Sequence, residues 1–370
     1  MVFSTRVQPS GKRRIFNRLR RWQQSSRALL AQECGLTRPA VSAIIDEMVR
    51  DGLVRETGCG VSTGGKPPRL LELVGGSRCA IGVDLGDDYL IRGVLGDLAG
   101  NVLYSSVQEY ENRFPAIVEA VVELIRTLRS RVAVPESLIG IGVAVSGIVD
   151  VARNEVVGYS TLDLVNRGLA EVIASSSGLP VLLERRPNAG ALAESLFGAG
   201  REFGTLLFIT SGRGVGAGMV IDGRIYRGCS GTAGEIGRLL VEGKPLEECT
   251  RPSVLAREFS FRKGRPQVFG ELLAAYRAGD PDAAELLHRN AEMMAYAAQA
   301  AADLFDPEAV VLGGRVLEFG DAYFTEFSDA FAAHAASRLL GGSCVLRRSF
   351  FGSSGVAVGG AQIVLDRVVD

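Results

Sequence analysis

The sequence predicts an α/β protein of two unequal parts: a short helical N-terminal unit closed by a β-hairpin, and a long body of mixed strands and helices. Three observations lead there. With 370 residues, two or three compact units are expected, and 47% hydrophobic against 22% charged content is that of a folded chain with sizeable cores. The charge is divided, with 13 Lys and Arg against 6 Asp and Glu in residues 1–75, and 28 against 36 in the remainder. Near residue 78 the texture changes from helical periodicity to alternating strand and helix patterns.

Composition also excludes. Apolar runs are of strand length and are broken by Gly or charge, so no membrane span is expected. The leading segment MVFSTRVQPSGKRR lacks the apolar core of a secretory signal, and a cytoplasmic location is expected. Cysteines fall at 34, 59, 79, 229, 249 and 344 with no CxxC pair, beside only His288 and His334. That pattern argues against a disulfide framework, a zinc site or any metal centre, and no cofactor is expected. The first 30 residues hold eight basic groups and no acidic one, so this end is expected to meet a polyanion.

The N-terminal elements follow in order. Ile15, Phe16, Leu19 and Trp22 recur at helical spacing, predicting an amphipathic helix over 13–23. Ser26 suits the N-cap of a second helix, SRALLAQEC, and Gly35 suits the left-handed turn that closes it. Thr37 caps a third helix that tolerates Pro39 in its first turn. This helix sets Val41, Ile44, Ile45, Met48 and Val49 on one face, and Gly52 ends it. Two strands, LVRE (53–56) and RLLEL (69–73), flank a Gly-rich tip and form a hairpin, the wing of a winged helix-turn-helix.

The outward face of the third helix offers Thr37, Arg38, Ala40, Ser42 and Ala43. Small and hydrogen-bonding side chains beside one Arg are what a recognition helix needs to reach base edges in the major groove. Arg27, Lys66 and Arg69 complete the DNA-binding set; Lys66 and Arg69 flank the wing tip, within reach of phosphates or a minor groove. The alternative for the unit is a helical protein-interaction module.

In the body, RCAIGVDLG, DYLIRGVLGDL and NVLYSSVQEY read as three successive strands, followed by a helix near 115–131 and the strand LIGIGVAVSG. A comparable texture returns after residue 204. TLLFITSGRGVGAGMVIDGRIYRG holds strand, Gly-rich turn and strand, with Asp222–Gly223 as a hairpin turn. Helical stretches occupy about 268–304, and VVLGG (310–314) is a strand. The glycines of GVDLG (82–86) and SGRGVGAG (211–218) permit close approach of backbone to an anionic ligand, or they simply build tight hairpins.

These segments resemble the ROK family. GRGVGAGMVIDGRIYRGCSGTAGEIGR (212–238) follows its signature, STGGKPPRLLEL its wing, GVDLG its first phosphate loop, VVLGG its nucleotide-side loop and PNAGALAESLFG its domain-crossing helix. The resemblance spans 13–73 and 78–366. It implies an actin-like (ribonuclease-H-like) two-lobed ROK domain behind the winged unit, with a sugar site between the lobes. It divides the chain into 1–75, a first lobe of 76–190 completed by 355–370, and a second lobe of 191–354. Kinases of the family phosphorylate hexoses with ATP. Its regulators bind operator DNA as homodimers or homotetramers and answer to sugars.

Kinase chemistry is expected to be lost. The family's base lies in a Glu-Asn-Asp-x-Asn-Ala stretch, which is Glu184-Arg185-Arg186-Pro187-Asn188-Ala189 here. Arg186 stands at the base position, and a guanidinium stays protonated at any working pH. In the first phosphate loop Asp88 replaces a hydroxyl residue. In the second, Arg213 replaces Thr, and it either leaves ATP binding weak or rescues it. Arg238 stands where the family has a zinc-ligating His, Pro245 stands at the last zinc Cys, and Cys249 is not a motif cysteine. No catalytic residue and no metal ligand is therefore expected.

For sugar recognition, Glu235 and Glu247 match family residues that bind sugar hydroxyls, Thr161–Leu162 replaces an Asn-Leu turn, and Gly147, Arg185, Arg186, Asn188 and Arg238 complete the implied ligand set. Three readings stay open. Arg186 and Arg238 pair with Glu235 and Glu247 and fill the pocket; or the site takes a sugar phosphate or sugar acid through Arg forks; or it binds an ordinary sugar. The expected function is a DNA-binding transcriptional regulator, by family default a repressor. The alternative is an active ATP-dependent sugar kinase carrying a DNA-binding domain.

Overall fold

The structure, a computed structural model, describes residues 10–59, 67–86, 89–212, 214–335 and 344–369. Lys66, Asp88 and Arg213 lie outside the described residues. No helix among the described residues is long and apolar enough to cross a membrane.

Three helices open the chain. Helix α1 (Gly11–Trp22) is capped by Ser10, whose hydroxyl accepts from the Arg13 amide, and it carries Arg20 and Arg21 in its last turn, where the helix dipole favours cations. A three-residue strand β1 (Gln24–Ser26) leads into α2 (Arg27–Glu33), capped by the Ser26 hydroxyl. Helix α3 (Arg38–Arg50) is capped by Thr37. Strands β2 (Val54–Cys59) and β3 (Arg69–Leu73) pair antiparallel, and β1 adds to the other edge of β3. Ile15, Phe16, Leu19, Leu30, Val41, Ile45, Met48 and Leu71 form the core of this unit. Val49, expected to face inward, is 40% exposed. Eight residues on from Val41, it lies about 80° around the helix, off the buried stripe.

The body holds two five-stranded sheets of one plan. The first is built from β4 (Cys79–Leu85), β5 (Leu90–Asp97) and β6 (Val102–Glu109), then α4 (Phe114–Arg129) and β7 (Leu138–Val145). A small hairpin, β8 (Ile148–Asp150) and β9 (Glu155–Gly158), precedes α5 (Leu169–Ser177) and β10 (Val181–Arg185). The sheet order is β10-β7-β4-β5-β6, antiparallel through β4, β5 and β6 and parallel through β4, β7 and β10. Helix α6 (Arg186–Phe197) then leads to the second sheet, which starts with β11 (Thr205–Ser211), β12 (Val215–Ile221) and β13 (Arg224–Tyr226). A hairpin of β14 (Leu240–Val241) and β15 (Lys244–Pro245) precedes α7 (Leu246–Thr250), α8 (Pro252–Lys263), α9 (Phe269–Arg277) and α10 (Pro281–Phe305). Strand β16 (Ala309–Gly314), α11 (Asp321–Ala335) and β17 (Val345–Arg348) complete this half, and α12 (Gly355–Leu365) is followed by a short 3-10 turn over Asp366–Val369. The second order, β13-β12-β11-β16-β17, again runs from antiparallel to parallel pairing.

Helices α6 and α12 lie between the sheets, α6 against β11 and β12, α12 against β4, β5 and β7. Glycines permit their crossing. A Cβ placed on Gly359 would sit 1.8 Å from the Ala189 carbonyl, and one on Gly82 would sit 1.9 Å from the Ala357 carbonyl. Both clashes are with backbone, which cannot yield without separating the elements. The Gly359→Ala variant is expected to lose about 3 kcal/mol, the upper range for overpacking, as a fall in urea midpoint. An unchanged midpoint would show that the two helices cross with slack.

The N-terminal unit does not hang free. Its core is continuous with Ala193, Ala357, Val358, Ala361 and Leu365 of α6 and α12. Arg13 and Arg20 both bind Asp366, just beyond α12, and the Arg20 side chain is fully buried over the Phe16 ring. Burial draws the Arg20 pKa down, and Asp366 opposes that shift. Arg21 Nη2 donates to Ser195 Oγ of α6 at 3.1 Å. Asn17 abuts Gly223 in the turn between β12 and β13, where an added Cβ would sit 2.6 Å from Asn17 Nδ2. Helix α1 thus rests on parts of both halves of the body.

Candidate functional site

Two surfaces gather the residues singled out by the sequence. The first is the N-terminal half of α3. Thr37, Arg38 and Ala43 are exposed, and Ala40 and Ser42 are half-buried. Thr37 spends its hydroxyl on the helix cap, accepting from the Ala40 amide at 3.4 Å. Arg38 extends from the first turn of the helix into solvent. Arg27 is otherwise placed. It donates to the Ser42 carbonyl at 3.2 Å and to Asp46 Oδ1 at 2.8 Å, and lies 3.3 Å from Glu56 Oε1. Arg69 binds Glu56 Oε2 at 2.5 Å. These two cations brace α2, α3 and the hairpin against one another.

Hydrogen bonds from Arg69 and then Arg27 hold the Glu56 carboxyl below the usual glutamate range. A depressed carboxylate pKa contributes stability above the unfolded value and loses it as pH falls through the folded value. The emission of Trp22, the only tryptophan, is therefore expected to stay flat from neutral pH down to the ordinary value of 4.5 and to change only below it. A transition between neutral pH and that value would contradict the brace.

The second surface is the cleft between the sheets, which holds two cavities of about 620 Å³ and about 550 Å³ that share Arg186, Thr210 and Gly212. Arg186 begins α6, and its Nε donates to Asp84 Oδ1 at 2.6 Å while Nη2 reaches Oδ2 at 3.2 Å. Asp84, on β4, is buried. A carboxylate that could hold a metal ion is thus covered by a fixed cation in a two-point fork. Gly86, just after β4, has both its backbone groups satisfied by its neighbours. The Gly86 amide donates to the Leu90 carbonyl at 3.1 Å, and the Gly86 carbonyl accepts from the Tyr110 hydroxyl at 2.7 Å. In the second Gly-rich stretch, a Cβ on Gly218 would sit 2.2 Å from the Pro187 carbonyl, so this glycine serves packing of β12 on the start of α6.

The smaller cavity brings together Gly147, Arg185, Arg186, Glu235, Arg238 and Glu247. The pairing differs from the filled-pocket expectation. Arg186 takes Asp84, while Glu235 is bound by Arg185, which also donates to the Ala233 carbonyl at 2.6 Å. Arg238 forms no ion pair among the described residues and stacks on the Tyr159 ring at 5.0 Å. Arg186 opens α6, and from there its side chain meets the end of β4 rather than the loop that carries Glu235. Asn188 lies outside the cavity, fully buried on α6, with Nδ2 on Glu184 Oε1 at 2.8 Å. Two residues further along the helix, it faces away from the opening.

Sequence reasoning missed three residues. Arg227 clamps the buried Glu184 through Nε at 2.8 Å and Nη2 at 2.6 Å. Tyr159 provides the platform for Arg238. Arg251 lines the smaller cavity, with its Nε buried and lacking a hydrogen-bond partner. Its spacing of four from Glu247 suggests a helical ion pair, but α7 ends at Thr250 and no such pair forms among the described residues. A zinc ion does not fit these residues. The family's ligand position is Arg238, a cation, and no group of three or more His, Cys, Asp or Glu among the described residues could hold a metal.

Comparisons with known proteins place the chain among its relatives. The xylose repressor of Bacillus subtilis (strain 168) is 26% identical over 356 residues, covering 93% of this chain and 92% of its own length. A glucokinase of Streptomyces coelicolor is 28% identical over 268 residues, covering 65% of this chain and 83% of its own. Among solved structures, a ROK family transcriptional regulator, a homologue of the E. coli MLC protein, superposes with a TM-score of 0.74 at 20% identity, covering 97% of this chain and 96% of that one, and shows the shared fold. The ROK hexokinase of Thermus thermophilus superposes with a TM-score of 0.66 at 26% identity, over 78% of this chain and 99% of its own. The model of the ROK family matches residues 80–367, most of the chain, and the protein belongs to that family.

Proposed function

We propose that the chain is a transcriptional repressor whose N-terminal winged helix-turn-helix binds operator DNA and whose kinase-like body senses a sugar or sugar-derived ligand without turning it over. One observation carries the reading. The likeness to xylose repressors runs over 93% of the chain and so takes in the N-terminal unit, whereas the glucokinase likeness stops at 65%. In this reading, residues 1–75 contact DNA, and 76–190 with 355–370 and 191–354 form the two lobes. Two or four copies assemble, so that paired α3 helices enter successive major grooves. Arg38 reaches a base edge or phosphate, Lys66 and Arg69 reach phosphates or a minor groove, and Arg27 supports α3 from behind. A ligand releases or strengthens the DNA complex only by favouring one lobe closure over another.

Arg186 on Asp84 supports the absence of catalysis. Phosphoryl transfer to a sugar needs a carboxylate to take the hydroxyl proton and a metal to neutralise the phosphates. Here the base position is a guanidinium, and it covers the nearest buried carboxylate. A coupled ADP-release assay with glucose, xylose and Mg-ATP is expected to give no turnover above the no-sugar control. Turnover at ordinary enzymatic rates would overturn the reading. Binding of the protein to random duplex DNA, followed by selection of the retained sequences, tests the regulatory part. Failure to enrich any sequence at moderate salt would sink it.

A further inference from the structure

Among the described residues, the smaller cavity contains four guanidiniums in two different states. Arg185 and Arg186 are neutralised by Glu235 and Asp84. Arg238 and Arg251 have no carboxylate partner among the described residues. Arg238 stacks on the Tyr159 ring, and the Nε of Arg251 is buried with its donor unused. A buried donor left unmade is costly, and more so on a charged group. The chain spends its internal carboxylates on one pair of arginines and leaves the second pair facing the same 550 Å³ space.

The opposite chemistry stands beside them. Glu247 and the exposed Glu248, which both line this cavity, have no cationic partner among the described residues, and the Glu247 carboxylate lies 3.2 Å from where a Cβ on Gly214 would be. An unpaired carboxylate at a cavity wall accepts hydrogen bonds from hydroxyls. The Ser146 and Thr161 hydroxyls, 3.1 Å apart, add further donors and acceptors. A neutral monosaccharide would use Glu247 and leave Arg238 and Arg251 uncompensated. A bare anion would use the arginines and leave Glu247 facing a like charge. Only a ligand with a hydroxylated ring at one end and an anionic group at the other satisfies both sets.

We infer that this cavity binds an anionic monosaccharide, with the anion held by Arg238 and Arg251 and ring hydroxyls held by Glu247. The inference rests on the effector-binding role proposed above for the cleft. Carboxylate and phosphate share the recognition chemistry, since both accept charge-assisted hydrogen bonds from guanidinium forks.

Titration calorimetry on the full chain tests it with four probes: D-glucose, D-xylose, D-glucuronate and D-glucose 6-phosphate. At least one of the two anions is expected to bind tenfold or more tightly than either neutral sugar, and which anion wins separates the carboxylate source from the phosphate source. The preference is expected to collapse to less than threefold in Arg251→Gln and in Arg238→Gln. Arg238 is exposed at the cavity rim, so its variant folds normally and keeps the test decisive if Arg251→Gln does not. A neutral sugar binding as tightly as both anions, equal anion binding by both variants, or no binding of any probe would overturn the inference. Operator binding is measured separately without ligand. Its loss with anion binding intact would sink the repressor reading alone.

Discussion

Replacing Asp366 with alanine is expected to destabilise the whole chain by about 3–5 kcal/mol, because it leaves a buried guanidinium without its counter-charge. The side chain of Arg20 has no exposed surface, and Asp366 is its carboxylate partner, shared with Arg13. Two of the Arg20 nitrogens, Nε and Nη2, already lack hydrogen-bond partners, so little remains to compensate the charge once the carboxylate is gone. Removing one partner from a buried pair costs far more than removing both. The paired change Arg20→Met with Asp366→Leu is therefore expected to restore most of the loss. Urea denaturation followed at Trp22, two residues from Arg20 on α1, reads both. A single variant within about 1 kcal/mol of the parent, the range of exposed pairs, would show that water reaches Arg20.

The second large effect is on DNA. Arg38→Ala is expected to weaken binding to a selected operator by roughly 10–100-fold, equivalent to about 1–3 kcal/mol for one good base contact. The same variant is expected to keep its urea midpoint, because Arg38 is exposed on the first turn of α3. Arg27→Ala is the informative contrast. Its guanidinium ties the Ser42 carbonyl, Asp46 and Glu56 together, so this variant lowers the stability of the N-terminal unit as well as affinity. Fluorescence anisotropy at one fixed salt concentration separates the two, since phosphate contacts are salt-dependent. Unchanged affinity and unchanged sequence preference in Arg38→Ala would remove α3 from the major groove.

Local rules were readable from the residues themselves. Ser26 and Thr37 cap α2 and α3 because a short hydroxyl before a helical pattern has one good use, and three body strands fall where alternating apolar runs put them. Strand β1 was not legible. Gln24, Ser25 and Ser26 carry no apolar alternation, and they extend only because β3 offers an edge. The cleft shows the same division. Arg186 is visible as a residue unfit to be a base, but its partner Asp84 lies 102 positions away, and nothing local favours it over Glu235. Arg20 is the extreme case. Its sequence neighbours are basic and read as a DNA-facing surface, while its actual environment is set by a carboxylate 346 positions downstream. Val49 and Asn188 differ for a smaller reason, since Val49 lies about 80° off the buried stripe of α3 and Asn188 lies about 200° around α6 from Arg186.

The seating of α1 across both halves of the body also constrains the DNA. A reader on a loose tether could swing to follow an operator whose two arms were pushed apart by an extra base pair. One held by a desolvated ion pair and a continuous apolar core cannot. Each inserted pair rotates one arm about the duplex axis by roughly a tenth of a turn. The assembly proposed above is therefore expected to be strict about phase, with the separation between arms set by the body's architecture; an operator with one inserted pair between its arms is expected to lose affinity.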